Sequence, residues 1–193
     1  GNMQKGMVMN KLGILRKWKN RKAGALSFIL PVAVMLVLFA VKKIYPFGDR
    51  SFLSADLYHQ YMPFFSELVH KVRAGEDMGF SFQVGIGSNF LALFGYYLAS
   101  PFHLFGLVVP ERYLTEFLSY LTVFKIGLCG LTGYLYLRRH FQRGDQGAGA
   151  ETGALLFSLF YALSGFMAAY NYNIMWLDCV VLLPLIVLGL ERL

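Results

Sequence analysis

The segment FLALFGYYLASPFHLFGLVV, residues 90–109, decides how many times this chain crosses a membrane. It is apolar and about long enough to span a bilayer, but Ser100 and Pro101 interrupt it. Three arginines follow the next apolar run, 113–137: Arg138, Arg139 and Arg143. If residues 90–109 span the membrane, these arginines lie outside, against the rule that short basic loops stay cytoplasmic. We therefore predict a broken or re-entrant segment that leaves the chain outside.

The composition assigns the whole chain to a membrane. Of its 193 residues, 56% are hydrophobic and only 15% are charged, whereas soluble domains average about 25% charged residues. The formal net charge is +7, but seven basic residues precede the first apolar run, where they are expected to face anionic lipid in the cytoplasm. These are Lys5, Lys11, Arg16, Lys17, Lys19, Arg21 and Lys22. The clustering argues against nucleic acid as a partner.

The apolar runs predict an all-α polytopic membrane protein with four spans and both termini inside. The first span is 23–41, after the basic N-terminus at 1–22, and it tolerates Pro31 because neighbouring helices can satisfy the freed carbonyl. The remaining predicted segments are an exoplasmic loop at 42–112, spans at 113–137, 152–169 and 174–190, a cytoplasmic linker at 138–151 and an exoplasmic turn at 170–173. Since the sequence stops directly after the last span, we expect it to be the N-terminal portion of a longer protein.

Polar chemistry is concentrated in SADLYHQYMPFFSE, residues 54–67 of the predicted loop. As part of an interfacial helix at 54–73, four residues share one face: Asp56, His59, Gln60 and Pro63. Four others form an apolar face: Tyr58, Met62, Phe65 and Val69. Such a helix can lie along a membrane surface, with Glu67 on its solvated side.

Asp56 is the candidate catalytic residue of this segment. A partly desolvated carboxylate can accept a proton or hold a divalent cation, so Asp56 is a candidate general base or metal ligand. The alternative is a favourable charge at the positive end of the helix dipole. Gln60 and Tyr61 are candidates for positioning a substrate, and His59 either joins them or has a structural role.

Lys125 and Asp178 are charged residues within predicted spans, where an ionisable side chain is expensive and indicates function. Lys125 either pairs with an acid or a carbonyl, or provides the counter-charge for a lipid phosphate entering between helices. Asp178 lies near the start of its span beside Trp176, where it either caps the helix or contributes to a polar rim. The chain has no HExxH, Walker loop or CxxC pair, so the corresponding protease and nucleotide-hydrolysis mechanisms have no support.

Several strings in this order resemble the amino-terminal part of bacterial YfhO-type membrane proteins, which are similar to the GT-C class of glycosyltransferases. The strings are PFGDRSFLSADLYHQYMPFF, GIGSNF, YYLASPF, KIGLCGLTGYLYLR and NIMWLDCVVLLPLIVLGLERL. The resemblance implies GT-C-like transmembrane helices with amphipathic interfacial helices in the first exoplasmic loop. It also implies a multi-pass protein of the bacterial cell membrane with its active face outside.

The function implied by the resemblance is the transfer of a sugar from a polyprenyl-phosphate carrier to a cell-wall polymer such as lipoteichoic acid. Asp56 matches by position the essential acid that GT-C enzymes carry in this loop, Lys125 would face the carrier phosphate, and Asp178 would complete the polar rim. The expected partners are therefore the lipid-linked sugar, the polymer acceptor and membrane lipid. Two alternatives remain open, a transporter or flippase of a lipid-linked substrate and a non-catalytic scaffold.

Overall fold

The computed structural model describes residues 2–141 and 148–193, with side chains at 22–141 and 149–193. This part of the chain is an all-α polytopic membrane protein with a single two-stranded hairpin. Residues 142–147 of the predicted linker at 138–151 lie outside the described residues. The described α-helices are α1 (Asn2–Lys42), α2 (Met62–Ala74), α3 (Phe90–Leu93), α4 (Leu114–Phe141), α5 (Ala148–Ala162), α6 (Gly165–Tyr170) and α7 (Trp176–Leu190).

Shorter elements connect these helices. The π-helical turn Leu57–Tyr61 leads directly into α2, and the π-helical turn Phe94–Leu98 directly follows α3. Two 3-10 helices come next, at Pro101–Val108 and Glu111–Tyr113. Strands β1 (Phe80–Ser81) and β2 (Ser88–Asn89) pair antiparallel. Gly75 ends α2 at φ 69°, a left-handed conformation that glycine adopts without steric cost.

Three described helical stretches are long and apolar enough to cross a membrane: Lys22–Lys42, Glu111–Phe141 and Gly149–Tyr170. They contain the segments predicted as spans at 23–41, 113–137 and 152–169. The span predicted at 174–190 corresponds to α7, which has 15 residues, fewer than the roughly 20 that cross a bilayer core. A crossing by α7 therefore stays a prediction.

The segment 90–109 is broken. Its two halves, Phe90–Leu98 and Pro101–Val108, meet at an angle of 108°. Ser100 is extended, at φ −117° and ψ 131°, because a residue that precedes proline is driven out of the helical region. The angle fits either a broken span or a re-entrant loop. The prediction that the chain is outside after this segment requires the re-entrant loop.

The chain divides into two compact units. The first comprises Gly1–Ala33, Ile126–Ser164 and Val181–Leu193, and the second comprises Val34–Lys125 and Gly165–Val180. Every residue that the sequence nominated for a site falls in the second unit.

Within the first unit, α1 and α4 approach each other through glycines. A Cβ atom added at Gly130 would overlap the carbonyl oxygen of Ser27, and one added at Gly127 would lie 2.7 Å from Cγ2 of Val32. Without a hydrophobic driving force in lipid, helices associate by such close packing of small residues. The two glycines therefore fix the distance between α1 and α4.

The core of the second unit corrects the apolar face predicted for residues 54–73. The buried hydrophobic residues of this stretch are Leu57, Tyr61, Phe65, Leu68 and Val69, whereas Tyr58 is 56% exposed. The Met62 N–H bonds to the Leu57 carbonyl five residues back, so the chain makes a wide π-helical turn instead of the α-helix assumed. Leu57 therefore lies in the core, although the predicted apolar face did not include it.

Glu67 was predicted on the solvated side, and this was wrong. Its side chain is buried, the Ser81 hydroxyl donates to its Oε1 at 2.5 Å, and the Lys71 ammonium lies 3.8 Å from the same oxygen. Lys71 also donates to the Asp77 carbonyl at 2.9 Å. The buried carboxylate thus attaches the β1–β2 hairpin to α2 through Ser81, which lies 14 residues away in the sequence.

We expect Gly130→Ala to separate α1 from α4 and to lower stability by about 1–3 kcal/mol, the usual cost of overpacking. The added methyl group has no open space because the atom it meets belongs to the rigid backbone of Ser27. The melting temperature of the detergent-solubilised protein measures the effect.

Gly189→Ala, in α7, is the matched control. No atom lies within 4 Å of the added Cβ, so the higher helix propensity of alanine should leave stability unchanged or raise it by up to about 1 kcal/mol. Equal melting temperatures for the two variants would contradict close packing at Gly130.

Candidate functional site

Asp56 lies at the start of the Leu57–Tyr61 π-helical turn and is partly buried. The Gln60 amide donates to its Oδ1 at 3.2 Å, so two of the predicted site residues are in contact. The preceding residue, Ala55, has φ 46°, a left-handed conformation that costs a residue with a Cβ atom of order 1–3 kcal/mol. His59 is exposed, with its ring edge-on to Tyr58 at 5.1 Å. Local strain and a π-helical turn recur at functional sites.

Tyr61 lies beside Asp56 in an aromatic cluster. Its ring is 5.2 Å from that of Tyr97, which is 4.6 Å from that of Tyr96. Burial raises the pKa of Tyr61 to about 12, with further contributions from Tyr97, Tyr96 and Asp56. The phenol is therefore neutral at physiological pH, and its hydroxyl also hydrogen-bonds with the Met175 backbone.

Lys125 is fully buried and directs its ammonium at three acceptors. It lies 2.6 Å from Oδ1 of Asp178, donates to the carbonyl of Ile174 at 2.9 Å and donates to the hydroxyl of Ser100 at 3.3 Å. The ring of Phe102 adds a cation–π contact at 5.5 Å. Of the two alternatives for Lys125, these contacts fit the structural one, in which it pairs with an acid and a carbonyl.

The structure adds Ser100 and His103 to the residues around Lys125. His103 is 2% exposed, and its Nδ1 lies 2.9 Å from the Leu98 carbonyl, so Nδ1 carries the proton. Its Nε2 is buried without a hydrogen-bond partner among the described residues. The sequence held a signal for both residues, since each is a polar side chain inside an otherwise apolar run.

Two neighbouring residues connect the Asp56 turn with the buried ion pair. Ile174 accepts from Lys125, and Met175 contacts the Tyr61 hydroxyl. The segment that leads into α7 therefore lies against both groups of candidate residues. The tertiary structure thus brings together two stretches of sequence more than a hundred residues apart.

A cleft of about 580 Å³ opens on the His59 side of the π-helical turn. Its polar and aromatic lining includes His59, Phe64, Glu67, His70, Gln83 and Glu111. The volume falls within the range of small-molecule sites. Asp56 and Gln60 do not line the cleft. The cleft and the Asp56 carboxylate therefore lie beside different parts of the same turn.

Metal-binding potential is limited in the described part of the chain. No group of three or more His, Cys, Asp or Glu residues there is arranged to hold a metal ion. A divalent cation at Asp56 would need its other oxygen ligands from a substrate or from water.

We expect Lys125→Met to lower the free energy of unfolding by about 3 kcal/mol, because it leaves the Asp178 carboxylate without its partner in the protein interior. Met keeps the length of the aliphatic stem, so packing changes little. Unfolding in mixed detergent, followed by circular dichroism, measures the loss.

The double variant Lys125→Met with Asp178→Leu tests the cause. Replacing both members of a buried pair by apolar residues is often neutral, so it should recover most of the lost stability. A double variant no more stable than Lys125→Met alone would show that the ion pair is not the interaction involved.

Comparison with known proteins identifies a family. No curated protein and no solved structure matches the chain. The family described as "Bacterial membrane protein YfhO" matches residues 27–193, which include the apolar helices, the broken segment and all the candidate residues above. This chain therefore belongs to the YfhO family of bacterial membrane proteins.

Proposed function

We propose that this chain carries the catalytic carboxylate of a membrane glycosyltransferase of the GT-C type. The enzyme would move a sugar from a polyprenyl-phosphate carrier to an extracellular cell-wall polymer such as lipoteichoic acid. The proposal rests on the Asp56 carboxylate, which Gln60 holds beside Tyr61 on a strained turn. This turn is not part of the long apolar helices. Strain of this kind persists only where the surrounding structure imposes it.

In this proposal Asp56 is the general base. It accepts the proton of an acceptor hydroxyl while that oxygen forms a bond to the anomeric carbon of the sugar. The bond between the anomeric carbon and the carrier phosphate breaks, and its electron pair leaves with the phosphate. Gln60 fixes the orientation of the carboxylate, and the Tyr61 phenol, whose pKa burial raises to about 12, is a neutral hydrogen-bonding group at physiological pH.

The remaining predicted residues support this chemistry in different ways. His59 lines the cleft of about 580 Å³, which has room for a sugar. A contact between Lys125 and the carrier phosphate would require its ammonium to leave one of three acceptors. We therefore assign Lys125 and Asp178 a positioning role, in which they hold the segment that contacts Tyr61.

A transporter or flippase of a lipid-linked substrate is the second candidate function. It is favoured by the helices Phe90–Leu98 and Pro101–Val108, which meet at 108°, because broken helices are typical of transporter binding sites. Movement of intact carrier across a proteoliposome membrane, without sugar transfer, would support this candidate. A non-catalytic scaffold would show neither activity.

The proposal requires the residue 42–112 region to face the outside, with the N-terminus in the cytoplasm. Cysteine introduced at Ile86, which is fully exposed in the β1–β2 hairpin, should react with a membrane-impermeant maleimide in intact cells. Cysteine at the exposed Arg139 should react only after permeabilisation. The unmodified protein corrects for Cys129 and Cys179, and the reverse labelling pattern would contradict this orientation.

We expect Asp56→Asn in the full-length protein to reduce sugar transfer by at least about 100-fold, the lower range for loss of a general base. The substitution keeps the size of the side chain but removes its basicity. Transfer of radiolabelled sugar from a polyprenyl-phosphate carrier to polymer, in proteoliposomes, measures the loss.

Asp77→Asn is the matched control. It makes the same charge change in the same region, and the asparagine carbonyl can still accept the hydrogen bond that Gly79 N–H donates to Asp77. Wild-type transfer by Asp77→Asn, with equal abundance of both variants, is expected. Full transfer by Asp56→Asn would remove the assigned role of this carboxylate.

A further inference from the structure

The two π-helical turns of the described residues meet at the candidate site. Tyr61 belongs to the turn Leu57–Tyr61 and Tyr97 to the turn Phe94–Leu98, and their ring centroids lie 5.2 Å apart, edge-on at 82°. Phe64 of α2 contacts the same Tyr97 ring at 5.0 Å. Single π-helical turns are rare and frequently mark functional sites. The proposed transfer mechanism uses only the first of these turns, so the second has no assigned role.

The bent helix pair that carries Tyr97 is held in place by two long-range contacts. At its bend, the Ser100 hydroxyl accepts a hydrogen bond from Lys125 of α4 at 3.3 Å. At its end, the guanidinium of Arg73 in α2 donates to the Leu107 carbonyl at 3.0 Å. These contacts hold the pair against α2 and α4, so a ligand can bind to Tyr97 with little ordering of the protein.

The Tyr97 hydroxyl is available to a ligand. The Tyr61 hydroxyl bonds with the Met175 backbone, whereas the Tyr97 hydroxyl has no hydrogen-bond partner within residues 22–141 and 149–193. Tyr97 is half-buried, and its hydroxyl oxygen is not one of the enclosed, unpaired polar atoms of these residues, so it is open to solvent. It can therefore donate a hydrogen bond to a group that approaches from outside.

Asp56 lies near this hydroxyl without bonding to it. The carboxylate acts electrostatically on both the Tyr61 and the Tyr97 phenol, while its hydrogen bond comes from Gln60. Because Asp56 and Tyr97 do not hydrogen-bond to each other, a ligand can bond to both. A sugar or a polyol carries hydroxyls on neighbouring carbons, so it can donate to the carboxylate and accept from the phenol at the same time.

The two groups select against charged ligands. A phosphate can accept from the Tyr97 phenol, but the negative charge of Asp56 repels it. An ammonium group can donate to Asp56 but has no acceptor for the phenol proton. The ring of Tyr96, which is 59% exposed and lies 4.6 Å from that of Tyr97, adds an aromatic surface for the apolar face of a sugar ring. A neutral, hydroxyl-rich ligand fits all three side chains.

We propose that Tyr97 is a substrate-binding residue, whose hydroxyl donates a hydrogen bond to a sugar or polyol that donates another to Asp56. As a substrate contact it rests on the proposed glycosyl transfer. Both substrates of that reaction carry such hydroxyls, the sugar on the carrier and the polymer acceptor. Tyr97 thus adds the bent helix pair to a site that otherwise consists of the first π-helical turn.

Tyr97→Phe is the test variant, because it removes the hydroxyl and keeps the ring that Tyr61 and Phe64 contact. In the transfer assay with the full-length protein, the KM for one substrate should rise about five- to tenfold, the effect of one lost hydrogen bond, with kcat unchanged. A higher KM for the polymer assigns the contact to the acceptor, and a higher KM for the carrier assigns it to the transferred sugar. Unchanged KM values for both substrates would overturn the inference.

Tyr113→Phe is the matched control. It removes the hydroxyl of a tyrosine in the same compact unit that is 41% exposed, and it keeps the ring that Arg112 contacts. Both KM values and the melting temperature should equal those of the wild type, and Tyr97→Phe should share this melting temperature. A lower melting temperature of Tyr97→Phe, with kcat and both KM values changed, would show a structural role and overturn the substrate contact.

A binding measurement separates this inference from the proposed function. Saturation-transfer NMR with methyl glucoside and with glycerol, each added to the full-length protein, should give equal signals for the wild type and Tyr113→Phe and a weaker one for Tyr97→Phe. A weaker signal for Tyr97→Phe in a protein that transfers no sugar would support the binding contact and reject the proposed function. Equal signals for all three proteins, or no signal for any, would overturn the contact even if Asp56→Asn abolishes transfer.

Discussion

The buried ammonium of Lys125 is the constraint on which the second compact unit depends. An isolated charge in an apolar interior costs several kcal/mol or more, so it must be paired. The three acceptors come from two separate parts of the chain: Ser100 at the break in the bent helix pair, and Ile174 with Asp178 where α7 begins. Satisfying one side chain therefore brings two segments to α4 and fixes the position of each.

This arrangement also determines what surrounds the catalytic candidate. The Ile174 carbonyl accepts from Lys125, and the next residue, Met175, contacts the Tyr61 hydroxyl. Tyr61 belongs to the same π-helical turn as Gln60. An interior held by the Lys125 contacts thus supports a partly exposed turn in which Ala55 is strained. Active sites commonly combine such a stable scaffold with local strain, because the surrounding packing must offset the cost of the strained residues.

The errors of the sequence analysis have a common physical origin. Leu57 was left out of the predicted apolar face because an α-helical period was assumed, and the period changes where the Met62 N–H bonds five residues back. Glu67 was assigned to solvent because charged side chains are rarely buried without a partner, and its partners, Ser81 and Lys71, are supplied by a hairpin and by the same helix. The Met62 bond and the Ser81 contact depend on backbone geometry and tertiary packing that residue spacing does not contain, although Lys71 lies only four residues from Glu67 on the same helix.

The sequence by itself determined the membrane class, the long apolar helices and the break at Ser100-Pro101. These follow from residue chemistry alone, since apolar length controls membrane insertion and proline acts on its own backbone and on the residue before it. It also nominated Lys125 and Asp178, because charge within an apolar run is costly wherever it occurs. Only the tertiary structure decided that these two residues pair with each other, and that Ile174 and Met175 connect them to Tyr61. The choice of partner is a property of three-dimensional packing, because many acceptors could satisfy an ammonium and only folding decides which of them come within hydrogen-bonding distance.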